Sequence, residues 1–181
     1  GYAQNTLDNL GLTGGTPAAV AYSLRKLSTS YVGSAIQVRR STDNATQDIG
    51  FDSNGDLDTT TLLAFVGSND AFVTIWYDQS GNGRNLIKTD NNVQPKIVFN
   101  GTFKYIGTRV AIDFSGNKGL VYSGSLSLAS ITSVIKSESM NWPSYHTILE
   151  GSPRIGGILE SGGTTFHSNV YPLAIWKDGI P

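Results

Sequence analysis

A β-prone run meets a polar, glycine-rich loop in the segment FVTIWYDQSGNGRNL, residues 72–86. Glycines let a backbone approach a ligand closely, side-chain amides and hydroxyls can hydrogen-bond sugar hydroxyls, and aromatic rings can stack on a sugar face. The segment therefore predicts a saccharide-binding loop at the end of a strand. Its candidate ligand-binding residues are Trp76, Tyr77, Asp78, Gln79, Ser80, Asn82 and Asn85.

The same loop also has a structural interpretation, which we favour. Aspartate and serine side chains in tight turns commonly accept hydrogen bonds from nearby backbone N–H groups, and a tryptophan in an alternating strand is more often a core residue. On this interpretation Asp78 and Ser80 hold the loop through backbone hydrogen bonds, and Trp76 packs inward.

A second polar stretch, FDSNGDLD at residues 51–58, has alternating oxygen-bearing side chains that suit calcium. The position of its glycine and the leucine at the twelfth place of the loop do not match an EF-hand. The alternative is a polar turn whose last aspartate caps a helix. No other cofactor is expected. The candidate metal ligands are Asp52, Asn54, Asp56 and Asp58.

Glycoside hydrolysis with retention requires two carboxyl groups about 5 Å apart. Glu150 and Glu160 are the local pair that we single out as candidates, and His146 or His167 could assist them. The alternative, which we favour, is that both glutamates lie on the surface at strand ends.

Composition excludes several classes of partner. The chain of 181 residues has 13 basic and 14 acidic side chains without a basic block, so no nucleic acid partner is expected. No apolar run reaches the roughly 18 residues that predict a membrane span. The absence of cysteine excludes disulfides and zinc–thiolate sites. The lack of cysteine fits either a cytosolic protein or a bacterial secreted one. Gly1 and Ala3 match the small residues of a signal-peptidase site, which favours a secreted or cell-surface protein.

The elements that must position these residues are predicted to be mostly β. Residues 17–27 have the N-terminal proline and apolar spacing of the longest helix, and a shorter helix follows Asp58 and ends at Gly67. From Phe72 onward the apolar period is two, which predicts an antiparallel two-sheet β-sandwich. The expected domain covers residues 16–181, after an extension over residues 1–15. The predicted strands are FVTIWY, PKIVF, RVAIDF, SITSVIKS, HTILEG and PLAIWK.

The end of the chain predicts a missing strand. LAIWKDGIP reads as a strand that enters a hairpin turn at Asp178-Gly179 and has almost no return strand. An unpaired edge of this kind is normally covered. We therefore expect the remaining segments of a longer surface protein, or a strand-donating partner, to complete the sandwich.

Three segments together resemble the N-terminal half of the α-L-arabinofuranosidase B catalytic domain family. They are AYSLRKLSTSYVGSAIQVRRSTDNATQDIGF, GDLDTTTLLAFV and FVTIWYDQSGNGRNL, with Arg40, Ser41 and Asp43 in the positions that the family motif gives them. The resemblance implies a concanavalin-like jelly roll. The same module resembles the head of large adhesins of Bacteroidetes-type bacteria that are linked to gliding motility and protein secretion.

The resemblance also allows the catalytic residues to be checked. The family's nucleophilic glutamate would align with Gly156 or Gly157, Glu160 lies about three residues later, and the acid/base aspartate belongs to a segment after residue 181. We therefore favour a lectin-like module of a larger bacterial adhesin that binds glycan and does not hydrolyse it. The alternative is a fragment of a retaining α-L-arabinofuranosidase.

Overall fold

The computed structural model describes residues 6–13 and 17–126, together with two short strands at 146–147 and 157–159. The chain divides into two compact units, residues 1–131 and 132–181. Its described part is mostly β, with antiparallel sheets and few short helices, as the sequence predicts. The helices are α1 (Thr6–Asn9) and α2 (Thr59–Val66). The strands are β1 (Ile36–Arg40), β2 (Thr46–Ile49), β3 (Ala71–Trp76), β4 (Leu86–Ile87), β5 (Lys96–Phe99), β6 (Thr102–Phe103), β7 (Tyr105–Ile106), β8 (Arg109–Val110), β9 (His146–Thr147) and β10 (Gly157–Leu159).

β3 is the central strand of a six-stranded sheet in the first unit. The strand order is β2-β1-β3-β5-β6, and β4 pairs with the far end of β3. All of these pairs are antiparallel. A register shift between Gln37 and Val38 interrupts the β1–β3 pairing. Because β3 ends beside both β1 and β4, the loop that follows it starts from a firmly held strand.

The core lies between α2 and one face of this sheet. Leu62 and Val66 of α2 are buried in the same cluster as Val38, Val73 and Val98 of the three central strands. Burying each such side chain stabilises the fold by about 1.5–3 kcal/mol. Helix packing on one face leaves the other face of β1, β3 and β5 to polar and aromatic side chains.

The capping signals predicted for α2 are confirmed. The Asp58 carboxylate accepts hydrogen bonds from the Thr61 backbone N–H at 2.9 Å and from its hydroxyl at 2.6 Å. At the other end, Gly67 has a φ of 61° and donates its N–H to the Leu63 carbonyl at 2.8 Å. A positive φ is accessible to glycine without steric cost, which explains why the helix ends there.

The helix predicted over residues 17–27 is wrong. The structure has no helix in this segment, and Arg25 instead forms an isolated antiparallel bridge with Asp56. The backbone groups that a helix would pair internally are bonded to the loop after β3, as described below. Tertiary hydrogen bonds have therefore overridden a local helical signal.

Strand predictions have mixed outcomes. β3 and β5 confirm FVTIWY and PKIVF, whereas RVAIDF contributes two residues to the β7–β8 hairpin. β1 and β2 were not predicted, although the apolar alternation of Ile36 and Val38 was a usable signal. HTILEG contributes β9, which pairs with β10. SITSVIKS, PLAIWK and the terminal hairpin lie outside the described residues. No described helix has the length and apolarity that a membrane span requires.

Candidate functional site

Asp78 organises the loop that follows β3. Its carboxylate is 3% exposed, and one oxygen accepts hydrogen bonds from the backbone N–H groups of Ala21 at 2.8 Å and Ser80 at 3.0 Å. The other oxygen accepts from the Ser80 hydroxyl at 2.8 Å and the Arg84 N–H at 3.1 Å. The prediction that Asp78 and Ser80 hold this loop through backbone hydrogen bonds is confirmed.

Gln79 joins the loop to the segment before β1. Its side chain is 2% exposed, its Oε1 accepts from the Leu27 N–H at 2.9 Å, and its Nε2 donates to the carbonyls of Ser23 and Arg25, each at 2.9 Å. Its own backbone N–H donates to the Ala21 carbonyl at 2.7 Å. The amide group of Gln79 therefore uses both of its donors and its acceptor inside the protein.

The rest of the loop binds the same segment. Asn82 Nδ2 donates to the carbonyls of Ala18 and Ala19 at 3.0 and 3.1 Å, and the Arg84 guanidinium donates to the Ala19 carbonyl at 2.8 Å. Asn85 accepts from the Asp78 N–H at 3.0 Å. We call the side chains of Asp78, Gln79, Asn82 and Arg84 the clamp, because together they replace the internal hydrogen bonds of a helix over residues 18–27.

The two aromatic candidates also have partners within the protein. Trp76 is partly buried against the core, and its ring centre lies 6.0 Å from that of Tyr22 and 6.4 Å from that of Phe114, which stacks on it. The Tyr77 hydroxyl donates to Asp48 at 2.8 Å, and burial together with Asp48 raises the pKa of Tyr77 to about 12. Most polar groups of this loop thus have protein partners. Sugar binding by the loop stays a prediction.

The acidic loop at residues 52–58 directs its carboxylates at protein groups. One Asp52 oxygen accepts from the N–H groups of Asn54 at 2.8 Å and Asp56 at 2.9 Å. One Asp56 oxygen accepts from Arg25 at 2.8 Å and from Arg109 at 2.7 Å. Within residues 6–13 and 17–126 no three His, Cys, Asp or Glu side chains are grouped to hold a metal ion. The guanidinium groups of Arg25 and Arg109 therefore lie against Asp56 where a cation would bind. Calcium binding at this loop stays a prediction.

The family motif at the end of β1 forms a local anchor. The Arg40 guanidinium makes two bonds to Asp43, at 3.0 and 2.6 Å, and a third to the Phe65 carbonyl at 2.6 Å. The Arg40 hydrogen bonds lower the pKa of Asp43 to about 2. Ser41 accepts from the Asp70 N–H at 3.2 Å. These contacts tie the β1–β2 turn to α2 and to the start of β3.

The described carboxylates do not form a catalytic pair. Every aspartate between residues 6 and 126 accepts at least one hydrogen bond from the protein. Hydrogen bonds are the main cause of the lowered pKa values of Asp8, Asp43, Asp58 and Asp70. A general acid needs the opposite shift. The candidates Glu150, Glu160 and His167 lie outside the described residues, and for His146 only the backbone is described.

Comparison with known proteins identifies the family. The chain matches the family described as "Alpha-L-arabinofuranosidase B, catalytic" over residues 9–122, and it belongs to that family. A probable α-L-arabinofuranosidase B from Aspergillus flavus is 40% identical over 76 residues, which are 41% of this chain and 15% of the relative. An α-L-arabinofuranosidase from Hypocrea jecorina is 40% identical over 75 residues, with the same two shares. The matched part thus spans about 15% of the length of these curated relatives.

Among solved structures, an arabinofuranosidase complexed with arabinofuranosyl-α-1,2-xylobiose is similar to this chain. It is 32% identical, and the match covers 47% of this chain and 18% of that one, with a TM-score of 0.42.

These findings correct the interpretation of the chain as a lectin-like module of a bacterial adhesin, which is wrong. The matched family is that of α-L-arabinofuranosidase B, and the two curated relatives named above are arabinofuranosidases from fungi. The adhesin interpretation rested on the lack of a catalytic carboxylate pair. The candidate positions, Glu150 and Glu160, lie after the residues of the family match and after the main described region. The alternative, an arabinofuranosidase domain, is the better supported of the two.

Proposed function

We propose that this chain forms part of an α-L-arabinofuranosidase catalytic domain and contributes to the hydrolysis of terminal α-L-arabinofuranosides. The family match over residues 9–122 carries the proposal. It includes the clamp and the segment that the clamp binds, so the matched sequence corresponds to a set of mutually dependent contacts in the structure.

The described residues act in this proposal as the scaffold of the site. Retaining hydrolysis uses a nucleophilic carboxylate and an acid/base carboxyl group about 5 Å apart, and the acid/base has a raised pKa. The aspartates of residues 6–126 are engaged in structural hydrogen bonds, so we assign neither role to them. Glu160 as nucleophile and Glu150 as its neighbour are the candidates that this chain offers.

Two finer points of fold and location belong to the proposal. A main sheet with one face covered by α2 and a second, largely polar face is compatible with one half of a β-sandwich over residues 16–181. Export of the protein is compatible with a polysaccharide substrate, which is met outside the cell.

The test is hydrolysis of an aryl α-L-arabinofuranoside by the intact protein. We expect turnover above the uncatalysed rate, with retention of anomeric configuration in the first-formed product. Glu160→Gln should lower kcat by at least about 100-fold, because an amide replaces neither a nucleophile nor an acid. Glu138→Gln is the matched control and should leave kcat unchanged.

Absence of turnover in a protein that is folded by circular dichroism would overturn the proposal. Equal rates for the parent protein and Glu160→Gln would instead remove Glu160 from the mechanism and keep the activity. The same assay decides whether the expectation that this chain does not hydrolyse arabinofuranosides is correct.

A further inference from the structure

A row of cationic and aromatic side chains crosses the face of the main sheet that points away from α2. Arg39 of β1 lies opposite Phe72 of β3, and Phe72 lies opposite Lys96 of β5. The Arg39 guanidinium carbon is 4.6 Å and the Lys96 ammonium nitrogen 5.1 Å from the centre of the Phe72 ring. The same ammonium is 4.9 Å from the ring centre of Phe99. Two cations therefore share one aromatic ring, an arrangement that concentrates positive charge.

A cavity of about 200 Å³ opens beside this row. This volume is below the roughly 300–1,000 Å³ of pockets for drug-sized ligands, so the cavity suits a group the size of one sugar residue. Its walls combine two phenyl rings with hydrogen-bonding and cationic groups. They include Phe72, Gln94, Lys96, Phe99, Ser115 and Lys118.

Positive charge exceeds negative charge around this cavity. Lys96 pairs with Asp70 at 2.8 Å, and Lys104 pairs with Asp113, a further wall residue, at 3.0 Å. Lys118 donates to the Asn92 carbonyl, a neutral group. Lys96 and Lys104 thus have carboxylate partners, whereas Lys118 has none among the described residues.

Arg39 is the more informative of the unpaired cations, because it is only 8% exposed. Its guanidinium donates to Gln94 Oε1 at 2.8 Å and Asn44 Oδ1 at 2.7 Å, which are both neutral amides. Burial lowers the pKa of Arg39. A buried cation without a counter-ion is unfavourable, and an anion placed nearby would offset that cost. Gln94 connects Arg39 to the cavity, since its side chain lines the cavity and bonds the guanidinium.

We infer that this cavity binds the carboxylate of a uronic acid residue in a saccharide. Lys96 and Lys118 attract the carboxylate, and the rings of Phe72 and Phe99 contact the apolar face of the sugar. That the ligand is a saccharide rests on the proposed function. The excess of positive charge independently specifies that the bound group is an anion. Under this inference the arabinofuranoside substrate is carried by an acidic polysaccharide.

The test is a titration of the intact protein with methyl glucuronide, in which isothermal calorimetry measures binding. Methyl glucoside, which lacks only the carboxylate, should bind at least about tenfold more weakly, because a charge-assisted hydrogen bond is lost. Lys118→Gln should weaken methyl glucuronide binding at least about fivefold. Lys26→Gln, a lysine outside the cavity, is the matched control and should leave binding unchanged. Lys26→Gln should also leave turnover of an aryl arabinofuranoside unchanged.

Acetate and inorganic phosphate distinguish a sugar site from a general anion site. Equal affinity for acetate, phosphate and methyl glucuronide would overturn the inference, as would equal affinity for the glucuronide and the glucoside, or no binding of the glucuronide. Phe99→Ala should weaken the glucuronide and leave acetate unchanged. If the glucuronide binds as expected and no arabinofuranoside is hydrolysed, the proposed function fails and the site stands.

Discussion

The clamp loop and the cationic cavity differ in how completely their polar groups are used. The loop over residues 77–85 is rich in polar side chains, yet Asp78, Gln79, Asn82 and Arg84 are bonded to the segment 18–27. The cavity has fewer polar groups, but Lys118 in its wall and Arg39 behind Gln94 have only neutral partners. The two regions therefore separate a high density of polar residues from charge left without a counter-ion, and the proposed uronate site lies at the second.

The physical reason is that buried donors and acceptors must be paired by something. In the loop, the partner is the backbone of a distant segment that would otherwise be unpaired, so a sugar would compete with contacts that hold the fold. At the cavity, the protein supplies amides where a carboxylate would bind more strongly. The contrast can be tested by substitutions in each region.

Asp78→Ala should have the largest effect on stability. It leaves the buried N–H group of Ala21 and the partly buried N–H group of Arg84 without an acceptor, so we expect a loss of about 3 kcal/mol in the free energy of unfolding, measured by urea denaturation. Asp90→Ala removes an exposed carboxylate that accepts from the Asn92 N–H, and this control should cost less than about 1 kcal/mol. Unchanged stability with loss of saccharide binding would show that the loop is a binding site after all.

Asp58→Ala should have a smaller effect, because it removes a helix cap at a partly exposed position. The two bonds to Thr61 are lost, and the expected cost is about 1 kcal/mol. Thr60→Ala, on the exposed side of the same helix turn, should change stability by less than about 0.5 kcal/mol. A cost for Asp58→Ala that appears only in the presence of calcium would indicate that the 52–58 loop is a metal site.

Tyr77 gives the smallest expected effect, which appears only at high pH. Its pKa is raised from 10.0 to about 12 in the folded state, so the unfolded chain ionises first as the pH rises. The stability that Tyr77 contributes is complete below pH 10 and is lost between pH 10 and about 12. The thermal midpoint should therefore fall from pH 9 to 11, and less steeply in Tyr77→Phe. Identical slopes would show that the hydroxyl is not held against Asp48 in solution.

Local signals were sufficient for some elements of the fold. The aspartate cap and terminal glycine of α2, the β3 and β5 strands, and the role of Asp78 within its own turn all depend on groups a few residues apart. Such interactions are encoded by short sequence patterns, and the pattern is visible without knowledge of the fold. The family resemblance is also present in the sequence, because it depends on short segments of the chain.

Only the tertiary structure decided where the remaining groups find their partners. Asp78 bonds Ala21 across 57 positions, so the segment 18–27 could be read as a helix until its distant partner was known. The row formed by Arg39, Phe72 and Lys96 likewise requires the strand order β1-β3-β5 and its register. The reason is that sequence patterns determine which groups need partners, whereas the chain's path determines which distant groups meet them.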